Sequence, residues 1–401
     1  MRYHSYLNSA KKIIGSYHGD LPFSFFLKKY FAAEKKYGSR DRRQISTLCY
    51  HHYRLGKAMP GATVEEKIIT ATFLCENSFN DFLNFHKPGW NELITKPLSE
   101  KITIVGLTVE DIFPRGVELS EGVGLHAFSS SFLVKPGLFV RIRPGKKNVV
   151  TGKLKEAGLS FTMQGDDCFA FPNSTKLDTV LELDKDALVQ DLNSQKVLNS
   201  LKDPLSVSRD PASGIQHWVS GLGHSLSAWD CCAASGGKSI LLYDILKGQV
   251  ELAVSDIRES ILSNLKKRFS IAGIKKYKSF IADLSAENPS IQEKKYSLII
   301  CDAPCTGSGT WSRTPEQLYH FKTSMTDAYA EKQRKIISNT IPQLEEGGLF
   351  FYITCSVFKK ENEDQVNYVK EKFHLQLLQM ELLKGFDKKA DSMFVAVFMK
   401  N

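Results

Sequence analysis

Two cysteines stand at positions from which a thiol could do chemistry. Cys305 belongs to the segment 302–305 (DAPC), and Cys355 belongs to the segment 354–356 (TCS). Each follows a short apolar run with the composition of a buried strand, so each is predicted just past a strand end, where ligands bind in open sheets. Cys301 falls within such a run and is predicted to be a core residue. A thiolate placed at a strand end can act as a covalent nucleophile.

A loop of small residues is the second candidate for ligand binding. It follows a predicted strand that ends at Asp230 and it opens a predicted helix, which allows a ligand to approach the backbone and favours an anionic group. A phosphate loop would need glycine where the chain has Cys232, and the G-x-G-x-x-G pattern is absent. The ligand that still fits this loop is a nucleoside without a pyrophosphate. The residues predicted to contact it are Cys232, Ala233, Ala234, Ser235, Gly236, Gly237 and Lys238.

Aspartates end four successive predicted strands, at Asp230, Asp256, Asp283 and Asp302. Asp256 comes about 20 residues after the glycines, the spacing at which a carboxylate binds ribose hydroxyls in sheets of this type. Asp283 could meet an adenine. Strand-end aspartates also cap helices, but four in succession fit that explanation poorly. S-adenosylmethionine, with its nucleoside and its sulfonium methyl group, fits this set of residues.

Methylation at carbon 5 of cytosine is a reaction that would need both a nucleophilic cysteine and a bound S-adenosylmethionine. Carbon 5 is a poor nucleophile until a thiolate adds to carbon 6 and makes it enamine-like, able to attack a sulfonium methyl group. Loss of the carbon 5 proton and of the thiolate completes the cycle. Asp302 could hydrogen-bond the base near its ring nitrogen and stabilise the charge that develops. A helix start or a nearby cation could lower the pKa of the thiol.

The elements that would position these residues alternate between strand and helix from residue 191 onward. Strands are predicted at 226–231, 250–255, 279–282, 298–301, 349–353 and 393–399, and helices at 238–246, 257–272 and 327–344. This alternation is typical of an α/β fold with a parallel sheet covered by helices on both faces.

The first half of the chain has a different pattern. Residues 1–125 show apolar residues at helical spacing, and residues 134–190 indicate a small α/β module. Ser39 could cap a helix with a basic first turn, and a basic strand is predicted at 138–143. These cations could contact phosphates or could lie on solvated surfaces. The candidate RNA contacts are Arg40, Arg42, Arg43, Arg141, Arg143 and Lys146.

The bulk composition narrows the class of protein. A chain of 401 residues predicts two or three domains. The net charge of +9 is compatible with a nucleic-acid partner but is common in soluble proteins. The eight cysteines form no C-x-x-C pair, so no metal site or disulfide framework is expected. Because no apolar run reaches about 18 residues and no signal peptide is recognised, we expect a cytoplasmic protein without a membrane segment. We also expect a monomer.

At these motifs the chain resembles the RNA cytosine-carbon-5 methyltransferases of the Sun/Fmu type, which include bacterial small-subunit rRNA methyltransferases. Residues 230–238 are similar to the family's D-x-C-A-A-P-G-G-K, and the DAPC and TCS segments match its other motifs. The resemblance implies S-adenosylmethionine as cofactor and RNA, most simply rRNA or a ribosomal subunit precursor, as partner. It also implies that Cys355 is the nucleophile and that Cys305 assists product release.

The resemblance extends to the organisation of the chain. Residues 189–195 (VQDLNSQ) resemble the family's V-Q-D-x-x-x-Q entrance to the catalytic domain, and residues 37–54 are similar to its helical NusB-like domain. The implied architecture is a NusB-like RNA-binding domain (1–125), an RNA-recognition-like α/β module (126–190) and a Rossmann-like S-adenosylmethionine-dependent methyltransferase domain (191–401).

One departure keeps alternatives open. The family's proline in the cofactor loop is Ser235 here, which constrains the backbone less and predicts a modest loss of cofactor affinity. Residues 203–228 also form a longer connection than is usual in the family. A tRNA methyltransferase of the same chemistry and a non-catalytic RNA-binding assembly factor remain alternatives to an rRNA methyltransferase. A DNA methyltransferase is disfavoured, because the resemblance assigns the nucleophile to the TCS cysteine.

Overall fold

The computed structural model describes residues 2–202, 225–291 and 293–401. The predicted long connection at 203–228 therefore lies outside the described residues up to residue 224. The chain divides into two compact units. The first comprises Met1–Val117, Val123–Pro136 and Thr310–Thr323, and the second comprises Glu118–Gly122, Gly137–Gly309 and Ser324–Asn401. The predicted limits of three domains stay a prediction.

The first unit is helical, as the apolar spacing predicts. Aromatic rings fill part of its core, where the ring centroids of Tyr17 and Phe23 lie 4.8 Å apart and those of Phe23 and Tyr53 5.0 Å apart. Its helices before residue 132 are α1 (Arg2–Ser16), α2 (Phe23–Ala33), α3 (Ser39–Arg54), α4 (Val64–Cys75), α5 (Asp81–His86), α6 (Pro88–Glu92), α7 (Leu98–Val105) and α8 (Leu125–Ser131).

The start of α3 differs from the predicted cap. Gly38 is the N-cap residue, and Ser39 is the first helical residue. The Gly38 amide donates to Asp41 Oδ2 at 3.2 Å, so an aspartate in the first turn satisfies one of the amides at the helix start.

The second unit contains a small antiparallel sheet with the strand order β2-β3-β1-β4. Val140 and Phe169 pair in this sheet and pack, with Val150 and Leu154 of the adjacent helix, into one core. The elements are β1 (Leu138–Ile142), α9 (Lys147–Glu156), β2 (Thr162–Met163), β3 (Cys168–Phe171) and β4 (Ala187–Val189).

The rest of the second unit is built on a seven-stranded sheet with the order β10-β11-β9-β8-β5-β6-β7. Most predicted elements are present with shifts of a few residues at their ends. In chain order they are β5 (Ser227–Asp230), α10 (Gly237–Ile245), β6 (Glu251–Asp256), α11 (Glu259–Ala272), β7 (Tyr277–Ile281), β8 (Tyr296–Asp302), α12 (Pro315–His320, which belongs to the first unit), α13 (Ser324–Thr340), β9 (Leu344–Thr354), α14 (Glu363–Phe373), β10 (Gln376–Leu383) and β11 (Met393–Met399).

Both faces of this sheet are buried. Val254, Ile300 and Phe351 pack in a core on one face, and Trp229, Ile299 and Phe350 pack in a core on the other. Alternate side chains of adjacent parallel strands point to opposite faces, so continuous apolar strands are expected where helices cover both.

The prediction of a purely parallel sheet was wrong at one edge. Strands β5 to β9 pair in parallel, but β11 is antiparallel to β9 and β10 is antiparallel to β11. The connection from Leu383 to Met393 is too short for a crossover and closes a hairpin instead. The half-exposed β10 was not predicted from the sequence. The predicted helix at 327–344 ends at Thr340, just before Pro342, which has no amide hydrogen to continue it.

Among the described ranges, no helix is long and apolar enough to cross a membrane.

Candidate active site

The two cysteine loops leave the sheet side by side. Strands β8 and β9 are parallel neighbours with Asp302 opposite Ile353, so their carboxyl ends lie at the same edge. Cys305 and Cys355 follow these ends, and their Sγ atoms are 3.3 Å apart. Both side chains are partly exposed, whereas Cys301 is buried in the strand as predicted.

Main-chain hydrogen bonds of Gly309 join the two cysteine loops. Its amide donates to the Cys355 carbonyl at 2.8 Å, and the Ser392 amide donates to the Gly309 carbonyl at 2.9 Å. A Cβ atom at position 309 would lie 2.3 Å from the Ser392 carbonyl oxygen and 2.9 Å from that of Cys355. Only glycine allows this approach, because a backbone clash of that size cannot relax.

A buried carboxylate, Glu361, joins the residues that follow the cysteines. Its Oε1 accepts from the Thr306 amide at 2.8 Å, and its Oε2 accepts from the Thr306 hydroxyl at 2.6 Å and from the Ser356 hydroxyl at 2.5 Å. Gln333 Nε2 donates to Oε1 at 3.3 Å. Burial raises the pKa of Glu361 above its usual value, although these hydrogen bonds act in the opposite direction.

The electrostatics of the cysteine pair are asymmetric. The hydrogen bond with Cys355, followed by burial, raises the pKa of the Cys305 thiol well above its usual value. A neutral thiol at position 305 can donate to the sulfur of Cys355. Cys305 is therefore the member of the pair that is held as a neutral thiol.

A lysine and an aspartate lie beside the cysteines. Lys238 Nζ contacts Asp302 Oδ2 at 2.6 Å, with both side chains largely buried. Burial lowers the pKa of Lys238, but the charges of Asp302, Cys355 and Asp230 outweigh it, so the net shift is upward. Lys238 therefore stays charged at the strand ends that carry the two cysteines.

Asp230 lies beneath this pair at the end of β5. Its Oδ2 accepts from the Ser239 hydroxyl at 2.6 Å, while Oδ1 has no partner among the described residues. Burial raises the pKa of Asp230 to about 7, against the opposing hydrogen bond from Ser239. The side chain thus closes the start of α10 and is not exposed to a ligand.

The predicted cofactor loop has a strained backbone. Ala234 has φ +46° and Gly236 has φ +83°, both in the left-handed region. A Cβ atom at Gly236 would lie 2.8 Å from Phe269 Cε1, whereas a Cβ atom at Gly237 would meet nothing within 4 Å. The loop therefore packs tightly on α11 below and leaves open space above Gly237, at the N-terminus of α10. That space fits a ligand that approaches the backbone closely.

Asp256 is held at the edge of this loop. Its Oδ2 accepts from the Ala234 amide at 3.1 Å, and its Oδ1 accepts from the Arg258 amide at 2.9 Å and from Arg258 Nε at 3.0 Å. The Arg258 side chain is mostly exposed, so a ribose hydroxyl can displace it. Asp283 instead accepts from the amide and the hydroxyl of Ser285, which makes it a turn-capping residue in this structure.

Residues 224–397 match the model of a family described as 16S rRNA methyltransferase RsmB/F. The C-terminal region of this chain is therefore similar to that methyltransferase family, over less than half of the chain's length. The chain also matches the probable ribosomal RNA small subunit methyltransferase B of Bacillus subtilis (strain 168), with 26% identity over 138 residues, which is 34% of this chain and 31% of that protein. It is 32% identical over 139 residues to the ribosomal RNA small subunit methyltransferase B of Salmonella newport (strain SL254), covering 34% and 32%.

A further relative is named for tRNA. The mouse tRNA (cytosine(72)-C(5))-methyltransferase NSUN6 is 27% identical over 161 residues, which is 37% of this chain and 33% of that protein. The matched part spans about a third of the length of each of these relatives.

Two solved structures share the fold. The crystal structure of PH0851 has a TM-score of 0.67 at 16% identity and covers 98% of both chains. The structure of NSun6 from Pyrococcus horikoshii with SFG, an analogue of S-adenosylmethionine, has a TM-score of 0.55 at 15% identity and covers 69% of this chain and 94% of that one. The second unit therefore contains the Rossmann-like fold of S-adenosylmethionine-dependent methyltransferases, and the open loop at Gly237 fits this cofactor.

The predicted RNA contacts fall into two groups. Arg40, Arg42 and Arg43 are exposed near the start of α3, although Arg42 Nε donates to the Tyr37 carbonyl at 2.9 Å. Arg141 is buried and donates to Asp244 Oδ2 at 2.7 Å, and Arg143 pairs with Asp244 Oδ1 at the same distance. These two arginines join the small sheet to α10, so their role as RNA contacts is not supported.

Lys146 is half-exposed and lies 3.6 Å from Asp186 Oδ1. This position leaves it as a candidate RNA contact at the margin of the small module.

Sequence reasoning missed Glu361 and Arg268. Glu361 stands in a polar run after a TCS segment, and its burial becomes visible only when β8 and β9 lie side by side. Arg268 is one of several cations on α11, and no spacing marks it as the residue that contacts Ser235. Among the residues that the structure describes, no cluster of three or more His, Cys, Asp or Glu side chains could hold a metal ion.

Proposed function

We propose that this chain transfers a methyl group from S-adenosylmethionine to carbon 5 of a cytosine in small-subunit rRNA, with Cys355 as the covalent nucleophile. The observation that carries the proposal is the 3.3 Å separation of Cys305 Sγ and Cys355 Sγ beside the ion pair of Lys238 and Asp302. Two adjacent thiols at strand ends, next to a site that fits a sulfonium cofactor, match a reaction that forms and then breaks a bond from sulfur to carbon.

Cys355 is the attacking residue in this proposal because Cys305 is held as a neutral thiol that can donate to the Cys355 sulfur. Lys238 adds a cation close to the pair. The Cys355 sulfur forms a bond to carbon 6, and the electron pair of the carbon 5–carbon 6 double bond becomes available at carbon 5. When bound, S-adenosylmethionine supplies the electrophilic methyl group. Lys238 occupies Asp302 Oδ2, so Oδ1 is the atom that would contact the base.

Cys305 acts second, because the state of Cys355 controls its acidity. The pKa of Cys305 is raised first by its hydrogen bond to Cys355 and then by burial, with the Cys355 charge adding to both. Once Cys355 is a neutral thioether, the contributions of its charge and its hydrogen bond fall away, and Cys305 loses its proton more easily. The resulting thiolate takes the proton from carbon 5, the electron pair re-forms the double bond, and the Cys355–carbon 6 bond breaks.

Small-subunit rRNA is the favoured substrate because the matched family and the bacterial relatives are named for it. A tRNA is the second candidate, since the mouse relative is named as a tRNA (cytosine(72)-C(5))-methyltransferase. Exposed Arg40, Arg42 and Arg43 give the helical unit a cationic site for the RNA backbone.

Bisulfite sequencing of total RNA tests the proposal, because 5-methylcytosine resists conversion. Cells that carry the gene should protect one cytosine in small-subunit rRNA. The protection should disappear on deletion, return with the wild-type gene, and fail to return with Cys355→Ala. A protected site in tRNA would select the second candidate. Unchanged protection in every RNA would instead support a non-catalytic assembly factor.

A further inference from the structure

The cofactor loop is held in place at Ser235 by an arginine from the neighbouring helix. Arg268 of α11 donates through Nη1 to the Ser235 carbonyl at 2.8 Å and to the Ser235 hydroxyl at 3.0 Å. Ser235 lies between the two left-handed residues, Ala234 and Gly236. A non-glycine residue in that region persists only where surrounding contacts impose it.

The arginine is itself held by a third residue. Arg268 Nε lies 3.0 Å from both carboxylate oxygens of Asp184, and Nη2 donates to Asp184 Oδ1 at 2.7 Å. Asp184 has φ +68° and lies just before β4. Its amide donates at 2.8 Å to the carbonyl of Ala187, the first residue of that strand. Both side chains are largely buried. The planar guanidinium therefore has one edge on the small module and one edge on the cofactor loop.

Two more contacts show that the small module is attached to the helices that carry the loop. Arg143 Nη1 donates to the Ala272 carbonyl at the end of α11 at 2.6 Å, and Arg141 and Arg143 pair with Asp244 of α10. Of these three arginines, Arg268 is the one that also contacts the cofactor loop, at Ser235, which lies 33 positions earlier in the chain.

We propose that Arg268, oriented by Asp184, is a positioning residue that holds the cofactor loop at Ser235 and thereby sets the affinity for S-adenosylmethionine. The proposal rests on the cofactor site of the proposed function. A proline would restrict φ at this position through its ring. Serine does not, so the restraint comes from two hydrogen bonds to a charged donor whose own orientation is fixed. Lysine cannot replace it, because one ammonium group cannot match both the carboxylate and the loop carbonyl in this planar arrangement.

The test is calorimetric titration of the full-length chain with S-adenosylhomocysteine, the methyl-free product that binds without reacting. Arg268→Ala should weaken binding about tenfold, as expected for loss of hydrogen bonds from a charged donor. Arg268→Lys should weaken it nearly as much. Lys267→Ala, which removes an exposed cation from the same helix, is the matched control and should stay within about twofold of wild type.

Two more variants separate positioning from general damage to the fold. Asp184 does not touch the loop, and Asp184→Asn keeps the size of its side chain. The substitution should still weaken cofactor binding about threefold, because Arg268 loses the charge that orients it. In a double-mutant cycle, Ser235→Ala should cost little once Arg268 is alanine, because the hydroxyl contact is already lost. Binding of an RNA fragment should not change in any of these variants.

The outcomes distinguish this proposal from the proposed function. If wild type fails to bind S-adenosylhomocysteine, the cofactor site itself is wrong. If wild type binds but folded Arg268→Ala and Asp184→Asn bind equally well, or if the losses from Ser235→Ala and Arg268→Ala are additive, Arg268 does not position the loop.

Discussion

Cys305 Sγ and Cys355 Sγ lie 3.3 Å apart although 50 positions separate the two residues in the chain. The distance allows a hydrogen bond between the two sulfur atoms, and both residues are partly exposed at the end of the sheet. The proposed function assigns bond formation to Cys355 and release to Cys305.

Replacing each cysteine should give opposite results. Cys305→Ala should accumulate a covalent protein–RNA adduct, because the step that breaks the bond from sulfur to carbon lacks its base. Cys355→Ala should form no adduct and should reduce methyl transfer by at least about a thousandfold. The measurement is a denaturing gel with labelled RNA and S-adenosylmethionine. An adduct that survives in Cys355→Ala and vanishes in Cys305→Ala would reverse the two roles.

Glu361 should hold the two cysteine loops so that the sulfur atoms stay close together. Glu361→Ala should lower kcat about tenfold or more, since Thr306 and Ser356 lose their common acceptor and both cysteine loops relax. A trivalent arsenical that needs two close thiols reports the geometry without catalysis, and its affinity should fall in parallel.

The matched control for Glu361 is Asn91→Ala. Asn91 is also buried, and its Oδ1 accepts from the Asn80 amide at 3.0 Å within the helical first unit. It should lower stability but leave arsenical binding intact. Equal loss of arsenical binding in folded samples of both variants would mean that Glu361 has no specific positioning role.

Asp230 should make stability depend on pH. Its folded pKa of about 7 lies above the usual value of 3.8 because burial disfavours the charge. The folded chain then binds more protons than the unfolded chain between these values, so stability falls as pH rises from about 4 to about 7 and levels off above. Asp230→Asn keeps an acceptor for Ser239 and removes this titration.

Chemical denaturation across that pH range measures the effect. The free energy of unfolding of Asp230→Asn minus that of wild type should increase by about 3 kcal/mol between pH 4 and pH 7. A constant difference would show that Asp230 is charged throughout in the folded chain.

Asp256 should act on the cofactor and not on RNA. Asp256→Ala should weaken S-adenosylhomocysteine binding about tenfold or more, because it removes the ribose acceptor and the contact to the Ala234 amide. RNA affinity, measured by filter binding, should remain within about twofold. Matching losses for both ligands would count against the ribose role.

The basic residues should separate into two classes. Arg43→Ala should weaken RNA binding and reduce the slope of its salt dependence by about one, as expected for a lost phosphate contact. Arg141→Ala should instead lower stability by about 1–2 kcal/mol, because Asp244 loses one of its two buried arginine partners and keeps Arg143. If thermal unfolding of Arg141→Ala matches wild type while its RNA binding falls, the sequence-based assignment of Arg141 was right after all.

The local pattern of the sequence was enough to place the candidate site residues on the fold. Apolar runs separated by polar loops placed Cys305, Cys355 and Asp256 at the ends of strands, and the structure brings the two cysteines together because neighbouring parallel strands end at one edge. These inferences need only the alternation of strand and helix, which short-range hydrophobic periodicity encodes.

Only the tertiary structure decided which charged residues support that chemistry and which support the fold. Arg141 pairs with Asp244 at a separation of 103 positions, and Glu361 contacts Thr306 at a separation of 55. Arg40 and Arg141 look alike in the sequence, yet one is exposed and the other is buried. The reason is physical: burial and pairing depend on which distant surface covers a side chain, and this is set by the packing of strands and helices and not by the neighbours of a residue in the chain.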